Sequence, residues 1–236
     1  LKQLSKQSNL TLKSIQRHAP TSNKVDGVEY VQADVFKTET YSDKVKDADV
    51  VIHSMGVLLD SVVLKNAKPG DAGSYEKVNF ESAKILADTL VSLGKKQRKF
   101  IYMSANHSPP FIPRYLATKL QAEEYVDGLS NLKLLAIRPG VIVDRTERVV
   151  TAPLGLMADV AHFMNTTTVF KSLKKIKYVG DFAENFQVDK SINRDDVAKA
   201  IAYLTVCDDA DDIKVFKHNE IIETSQRYDA QLKKSS

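Results

Sequence analysis

Two residues four apart, Tyr115 and Lys119, sit in the run Tyr115-Leu116-Ala117-Thr118-Lys119. On a helix such a pair shares one face. An ammonium beside a phenol stabilises the phenolate and lowers the tyrosine pKa from its usual value of about 10. A tyrosine tuned in this way passes a proton at neutral pH, as carbonyl reduction requires. The plain alternative is a surface tyrosine and a solvated lysine that share only a spacing. Ser104 follows the apolar run Phe100 to Met103 and offers a hydroxyl to orient a carbonyl. It stands eleven residues before Tyr115, so the loop Asn106-His107-Ser108-Pro109-Pro110 between them is short.

The elements that must position these groups can be read from periodicity. Asn9 to Gln16 alternates as a half-buried strand, and Val28 to Gln32 forms a second strand ending at Asp34-Val35. Val50-Val51-Ile52-His53 is short and apolar enough for a buried strand, and Ser54-Met55-Gly56 ends it with a glycine that permits close backbone approach. Ser74 to Leu93 is the clearest helix. Ser74 serves as its N-cap, Val78, Ile85, Leu86, Leu90 and Leu93 as its apolar stripe, and Gly94 as its stop. The basic turn Lys95 to Lys99 reads as a solvated loop ahead of the strand Phe100 to Met103. Pro110 and Pro113 break the backbone before the Tyr115 helix, which runs to Gly128. Leu132 to Ile137 is the next strand, closed by Arg138-Pro139-Gly140.

Strands alternating with helices mean a parallel sheet covered on both faces, an α/β Rossmann-type doubly wound architecture. In such sheets ligands bind beyond the carboxyl ends of the strands. Asp34, Ser54 to Gly56, Ser104 and Pro139-Gly140 all fall at such ends, which points to one cofactor crevice. After Asp144 the pattern changes. Leu154 to Met164 is amphipathic, Ser172 to Tyr178 basic, and Asp181 to Ile192 polar. A helix then runs from Arg194 to Thr205 with Asp195 and Asp196 at its amino end. Ile213 to Phe216 is a last strand, before a polar tail to Ser236. The chain divides at this level into residues 1–144 and a small C-terminal lobe and tail, 145–236.

Bulk properties exclude several classes. With 236 residues and 43% hydrophobic content there is material for a packed core. A net charge of +4 lacks the basic stripe interleaved with aromatics that nucleic-acid binding needs. The single Cys207 excludes an internal disulfide and a cysteine-based zinc cluster. The run Asp208, Asp209, Asp211 and Asp212 lacks calcium-loop spacing and reads as a solvated turn, so no metal site is expected. His53, flanked by apolar residues, reads as a satisfied core histidine, and His107 beside prolines as structural. No apolar run is long enough to span a membrane. Up to Asp26 there are five basic residues and no acidic one. That fits either a mitochondrial transit composition or a strand and turn that happen to lack acids.

Asp34-Val35, Ser54-Met55-Gly56, Asn79 in the long helix, Ser104, Tyr115 with Lys119, and Arg138-Pro139-Gly140 occur in this order and spacing. Together they resemble the short-chain dehydrogenase/reductase superfamily in its extended and atypical branches, over Leu10 to Asp144. Ile101 to Ala105, and Arg114-Tyr115-Leu116 with Lys119 and Glu123, resemble a narrower group within it. That group comprises the NAD(P)H-binding accessory subunit of mitochondrial respiratory complex I and fungal mitochondrial relatives associated with coenzyme Q biosynthesis. His53 to Leu59 looks closer to the fungal members.

The resemblance implies that Asp34 and Val35 contact adenine, and that Ser54, Met55 and Gly56 line the nucleotide path. Lys119 would hold the nicotinamide ribose, Tyr115 would face the nicotinamide, and Pro139 and Gly140 would border the carboxamide. Arg17 is either a partner for a 2′-phosphate, favouring NADP(H) over NAD(H), or a solvated loop cation. It also implies a mitochondrial setting on the matrix side of the inner membrane. The partners would be a complex of quinone synthesis or the respiratory chain, with peripheral membrane association. A glycine-rich turn and a central first strand, expected ahead of Leu1, do not occur in the sequence. The expectation is that about 20 to 30 upstream residues supply them, and that without them dinucleotide binds poorly. Two functions stay open: an NAD(P)(H)-binding accessory or assembly protein with little turnover, and an NADP(H)-dependent oxidoreductase using Tyr115, Lys119 and Ser104.

Overall fold

The apolar runs become strands because their residues are buried on both faces, the condition for a parallel sheet under helices. The computed structural model describes residues 1–7, 9–18, 20, 22–58, 68–94, 96–108, 112–144, 190–208 and 214–235. Strands β1 (Leu12–Gln16) and β2 (Val28–Gln32) form one parallel ladder, with Leu12 opposite Val28. Strands β3 (Val50–His53), β4 (Arg98–Met103), β5 (Leu132–Ile137) and the later β8 (Val215–Phe216) form a second, in the order β3-β4-β5-β8. All pairings are parallel, with Val50 opposite Lys99, and Lys99 opposite Lys133. The expected sheet is therefore present as two separate parallel ladders among the described residues, with β1–β2 not hydrogen-bonded to β3.

Helices cover both faces of the larger ladder. After the four-residue α1 (Ser42–Val45), a π-helical turn (Glu76–Glu81) runs directly into α2 (Ser82–Ser92). Together with α3 (Pro113–Asp127), it packs on one face through Ala83, Ala87, Leu90, Ala122 and Val126 against Phe100, Tyr102, Leu134 and Ala136. The other face, built on Ile101, Leu135 and Ile137, is covered by α4 (Arg194–Val206) and by Ile221 of α5 (His218–Ser235). Asn193 caps α4 by accepting the Asp195 N–H at 3.2 Å, which satisfies one of the open donors at that end. The short β6 (Ile142–Val143) and β7 (Ile192–Asn193) pair in parallel, and Arg194 bonds Asp144 at 2.8 Å beside them.

Several expectations change on contact with the structure. The buried stripe of the long helix is Asn79, Ala83, Ala87 and Leu90 rather than Val78, Ile85 and Leu86, because small residues let the helix lie close to the sheet. Its opening turn has π spacing, which polarity does not announce. Pro113 is the first residue of α3 rather than a break before it, a position where its missing N–H costs nothing. Within the basic run only Lys96 and Gln97 are an exposed turn among the described residues. Arg98 and Lys99 belong to β4, and Arg98 is 2% exposed. The polar tail is an 18-residue helix. It and β8 pack on the same sheet as the rest. The amphipathic, basic and polar stretches between 145 and 189, and Asp209, Asp211 and Asp212, lie outside the described residues. Among the described residues no helix is long and apolar enough to cross a membrane.

Candidate functional site

Strand tips meet where β3, β4 and β5 end. Lys119 reaches them from α3, on whose inward face it is 3% exposed. Its ammonium donates to Met103 O at 2.8 Å and to Met55 O at 3.2 Å, so it ties the ends of β4 and β3 together. It also lies 4.9 Å from the centre of the Tyr102 ring. Burial lowers its pKa from the usual lysine range to about 8, while Glu123 pulls the other way. Gly56 leaves room for two side chains at this point. A methyl group there would stand 2.8 Å from Lys119 Nζ and 3.3 Å from Asn79 Oδ1. Asn79, fully buried, accepts the Val57 N–H at 3.0 Å and donates to Thr118 Oγ1 at 3.4 Å. Ser54 and Gly56 are exposed beside it.

Ser104 lies at the tip of β4, 6% exposed, and its backbone N–H bonds Ile137 O at 2.8 Å. Its hydroxyl donates to the Glu123 carboxylate. Glu123, 5% exposed, is gripped by Arg138, with Nε donating to Oε1 at 2.9 Å and Nη2 to Oε2 at 2.6 Å. The serine hydroxyl is thus committed within the protein. Tyr115 is directed elsewhere. Its ring meets Tyr75 edge-on at 5.9 Å, and its hydroxyl makes no hydrogen bond among the described residues. The expected lowering of its pKa by Lys119 does not occur. Burial raises it, and Tyr75 adds to the rise. The lysine charge is spent on main-chain carbonyls instead.

The remaining predicted residues fall into two places. Pro139 is buried and Gly140 partly buried just beyond Arg138, at the end of β5. Arg17, Asp34 and Val35 lie at the ends of β1 and β2. There Arg17 Nη2 approaches Asp34 Oδ1 at 3.8 Å, Asp34 also accepts the Phe36 N–H at 3.1 Å, and Val35 O accepts from Tyr41 at 3.2 Å. The structure brings Met55, Gly56, Asn79, Ser104 and Lys119 into one contiguous cluster. The sequence reading missed the brace beside it. Arg114 grips both oxygens of Glu76 at 2.7 Å and lies 5.7 Å from the Tyr75 ring, whose hydroxyl bonds Leu58 O at 2.7 Å. No local pattern signals a pair 38 residues apart.

Two hollows of about 340 and 310 Å³ open at the opposite, amino ends of the strands. They are lined by Lys99, Asp208, Asp127 and Lys214, already joined in ion pairs at 2.6 and 2.7 Å. The strand tips are the better site, because exposed strand-end backbone and a glycine cradle converge there.

Solved structures share this fold. The chain superposes on MoeE5 in complex with UDP-glucose and NAD with a TM-score of 0.58 at 13% identity, over 96% of this chain and 76% of that one. Against the Bordetella bronchiseptica enzyme WbmF in complex with NAD+ the TM-score is 0.53 at 10% identity, over 92% and 69%. The chain shares the parallel α/β, Rossmann-like fold of these proteins. No family model matches it. It is 29% identical over 168 residues to MIOREX complex component 2 of Saccharomyces cerevisiae, which takes in 53% of this chain and 61% of that protein. The chain thus spans about three-fifths of the length of that relative.

A nicotinamide dinucleotide fits the residues at the tips. Gly56, exposed at the end of β3 and without a side chain, would admit the close approach of a nucleotide. Tyr115 and Lys119 would meet its nicotinamide half.

Proposed function

We propose that this protein binds NAD(P)(H) as an accessory or assembly component of a mitochondrial complex of quinone metabolism, and turns over little or no substrate. One observation carries the proposal. Two of the three groups expected to serve carbonyl reduction are committed within the protein, Ser104 to Glu123 and Lys119 to Met103 O and Met55 O. A bound dinucleotide would supply hydride chemistry. The chain's own residues supply a rigid tip, a ribose anchor in Lys119 and a phenol in Tyr115 whose proton is held more tightly than in water. The similarity to a yeast protein named as the component of a complex supports the assembly role. The sequence resemblance to accessory proteins of complex I and of coenzyme Q synthesis supports the quinone setting. Arg17 beside Asp34 supports NADP(H), since a 2′-phosphate would replace the carboxylate as the partner of the guanidinium.

A second reading, an NADP(H)-dependent reductase, draws on the Tyr115 hydroxyl, which makes no hydrogen bond among the described residues. One experiment separates the two. The full-length protein is titrated with NADPH and NADH by fluorescence, then incubated with NADPH and a panel of quinones and quinone precursors while nicotinamide absorbance is followed. Binding without turnover, and rescue of a deletion strain by Tyr115→Phe, supports the accessory role. Turnover that Tyr115→Phe abolishes refutes it.

A further inference from the structure

The π-helical turn Glu76–Glu81 is held open by side chains from other elements. At its end the Ser82 N–H bonds Lys77 O, five residues back, rather than Val78 O, four back. The vacated Val78 O takes the hydroxyl of Ser82 itself at 2.6 Å. Since that donation spends the only serine proton, the 3.0 Å contact between Ser82 Oγ and His53 Nε2 is a donation from the histidine. His53 is therefore the Nε2–H tautomer, 3% exposed and set between the rings of Phe100 and Tyr102. The next carbonyl, Asn79 O, takes the Tyr102 hydroxyl at 2.9 Å. Successive carbonyls of the widened turn are thus satisfied by hydroxyls, one of them backed by an imidazole.

The consequence falls on Asn79. Its side chain leaves the turn towards the β3 tip, where Oδ1 accepts the Val57 N–H at 3.0 Å. A return to α spacing rotates the residues before the junction by about 100° relative to those after it, which withdraws the carboxamide from Val57. The geometry points to His53, Ser82 and Tyr102 as positioning residues for the dinucleotide, acting through the π turn and Asn79 on the nucleotide-lining loop Met55 to Val57. This rests on the dinucleotide-binding reading above. None of the three residues touches the ligand path directly.

The experiment uses the full chain with Ser82→Ala, Tyr102→Phe and the double variant, each of which removes only a hydroxyl. Amide exchange at Val57 is followed by NMR alongside NADPH affinity by fluorescence titration. Leu204→Val in α4, fully buried and remote from the turn, serves as a control for general destabilisation. The double variant is expected to speed Val57 exchange about tenfold, the factor carried by a hydrogen bond of typical net worth. NADPH affinity should weaken by a similar factor, and the control should change neither. Val57 protection that survives both substitutions overturns the inference, as does faster Val57 exchange with undiminished affinity. A wild-type protein that fails to bind NADPH or NADH instead overturns the dinucleotide reading itself, whatever happens at Val57.

Discussion

Ser104 gives its hydroxyl proton to Glu123, whose carboxylate Arg138 already holds with two nitrogens. The three residues form a closed chain between β4, α3 and the end of β5. A serine so engaged contributes to the fold rather than to a ligand. Ser104→Ala is expected to cost about 1 kcal/mol of stability and to leave NADPH affinity unchanged. Glu123→Gln removes the counter-charge from a largely buried guanidinium and should cost about 3 kcal/mol. Urea denaturation of both variants, with parallel NADPH titrations, checks the pair. A loss of affinity in Ser104→Ala larger than its loss of stability explains would return the serine to the ligand site.

Lys119 yields a prediction in alkaline solution. Burial lowers its pKa to about 8, against an unfolded value near 10.5. Between these values the unfolded chain binds the extra proton, so stability rises with pH across that window. The full difference of roughly 2.5 units corresponds to about 3 kcal/mol. Lys119→Met keeps the aliphatic stem and removes the titration. Denaturation midpoints from pH 7.5 to 9.5 should climb more steeply for the native protein than for Lys119→Met. Parallel slopes would show that the ammonium is less buried than its two carbonyl partners indicate.

His53 acts at the other end of the scale. Burial, helped by the Lys119 charge, lowers its pKa to about 3. The imidazole is neutral in the folded protein, and its contribution is fully present above pH 6.5 and lost as pH falls through about 3. Over that window the cost reaches at most about 5 kcal/mol. His53→Phe retains a ring against Phe100 and Tyr102 and should flatten the acid limb of the stability curve. Circular dichroism from pH 7 to pH 3 measures it, and an unchanged acid midpoint would contradict the assignment.

How far the sequence reaches is clear from particular residues. Val50 to His53 and Leu132 to Ile137 declare themselves because burial on two faces demands mostly apolar runs. The strand tips at Ser54 to Gly56 and at Ser104 were legible for the same reason, and Asp195 and Asp196 mark the start of α4 by their charge at the positive end of the helix dipole. What stayed hidden depends on partners distant in sequence. Polarity alone makes Arg98 a loop cation, and the carbonyls that enclose it come from the turn just before it, from α2 and from the turn after α1. The π turn leaves no trace in composition, since hydrogen-bond spacing changes while residue types do not. In α5 the apolar positions Ile221, Tyr228 and Leu232 are sparse among polar residues, yet their spacing of seven and four is helical and offers the signal that was passed over. Spacing brought Tyr115 and Lys119 to one helix, but the direction of each side chain was settled by Tyr75 and by the carbonyls of Met55 and Met103.

Arg98 gives a prediction for stability at neutral pH. Its Nη1 donates to Leu90 O at 3.2 Å and Lys96 O at 3.1 Å, and its Nη2 to Lys46 O at 2.8 Å. The guanidinium therefore closes the carboxyl end of α2 and the turn after α1, where unpaired carbonyls and the helix dipole favour a cation. A planar fork reaches carbonyls in different directions at once, whereas a lysine is a single point of charge. Arg98→Lys should lose about 2 kcal/mol, and Arg98→Met, which leaves three carbonyls short of a donor, about 3 to 4 kcal/mol. Urea midpoints of the two variants test the order. If Arg98→Met proves as stable as the native protein, the buried charge costs as much in lost solvation as its three hydrogen bonds return, and the anchoring of α2 would have to come from Ala83, Ala87 and Leu90 alone.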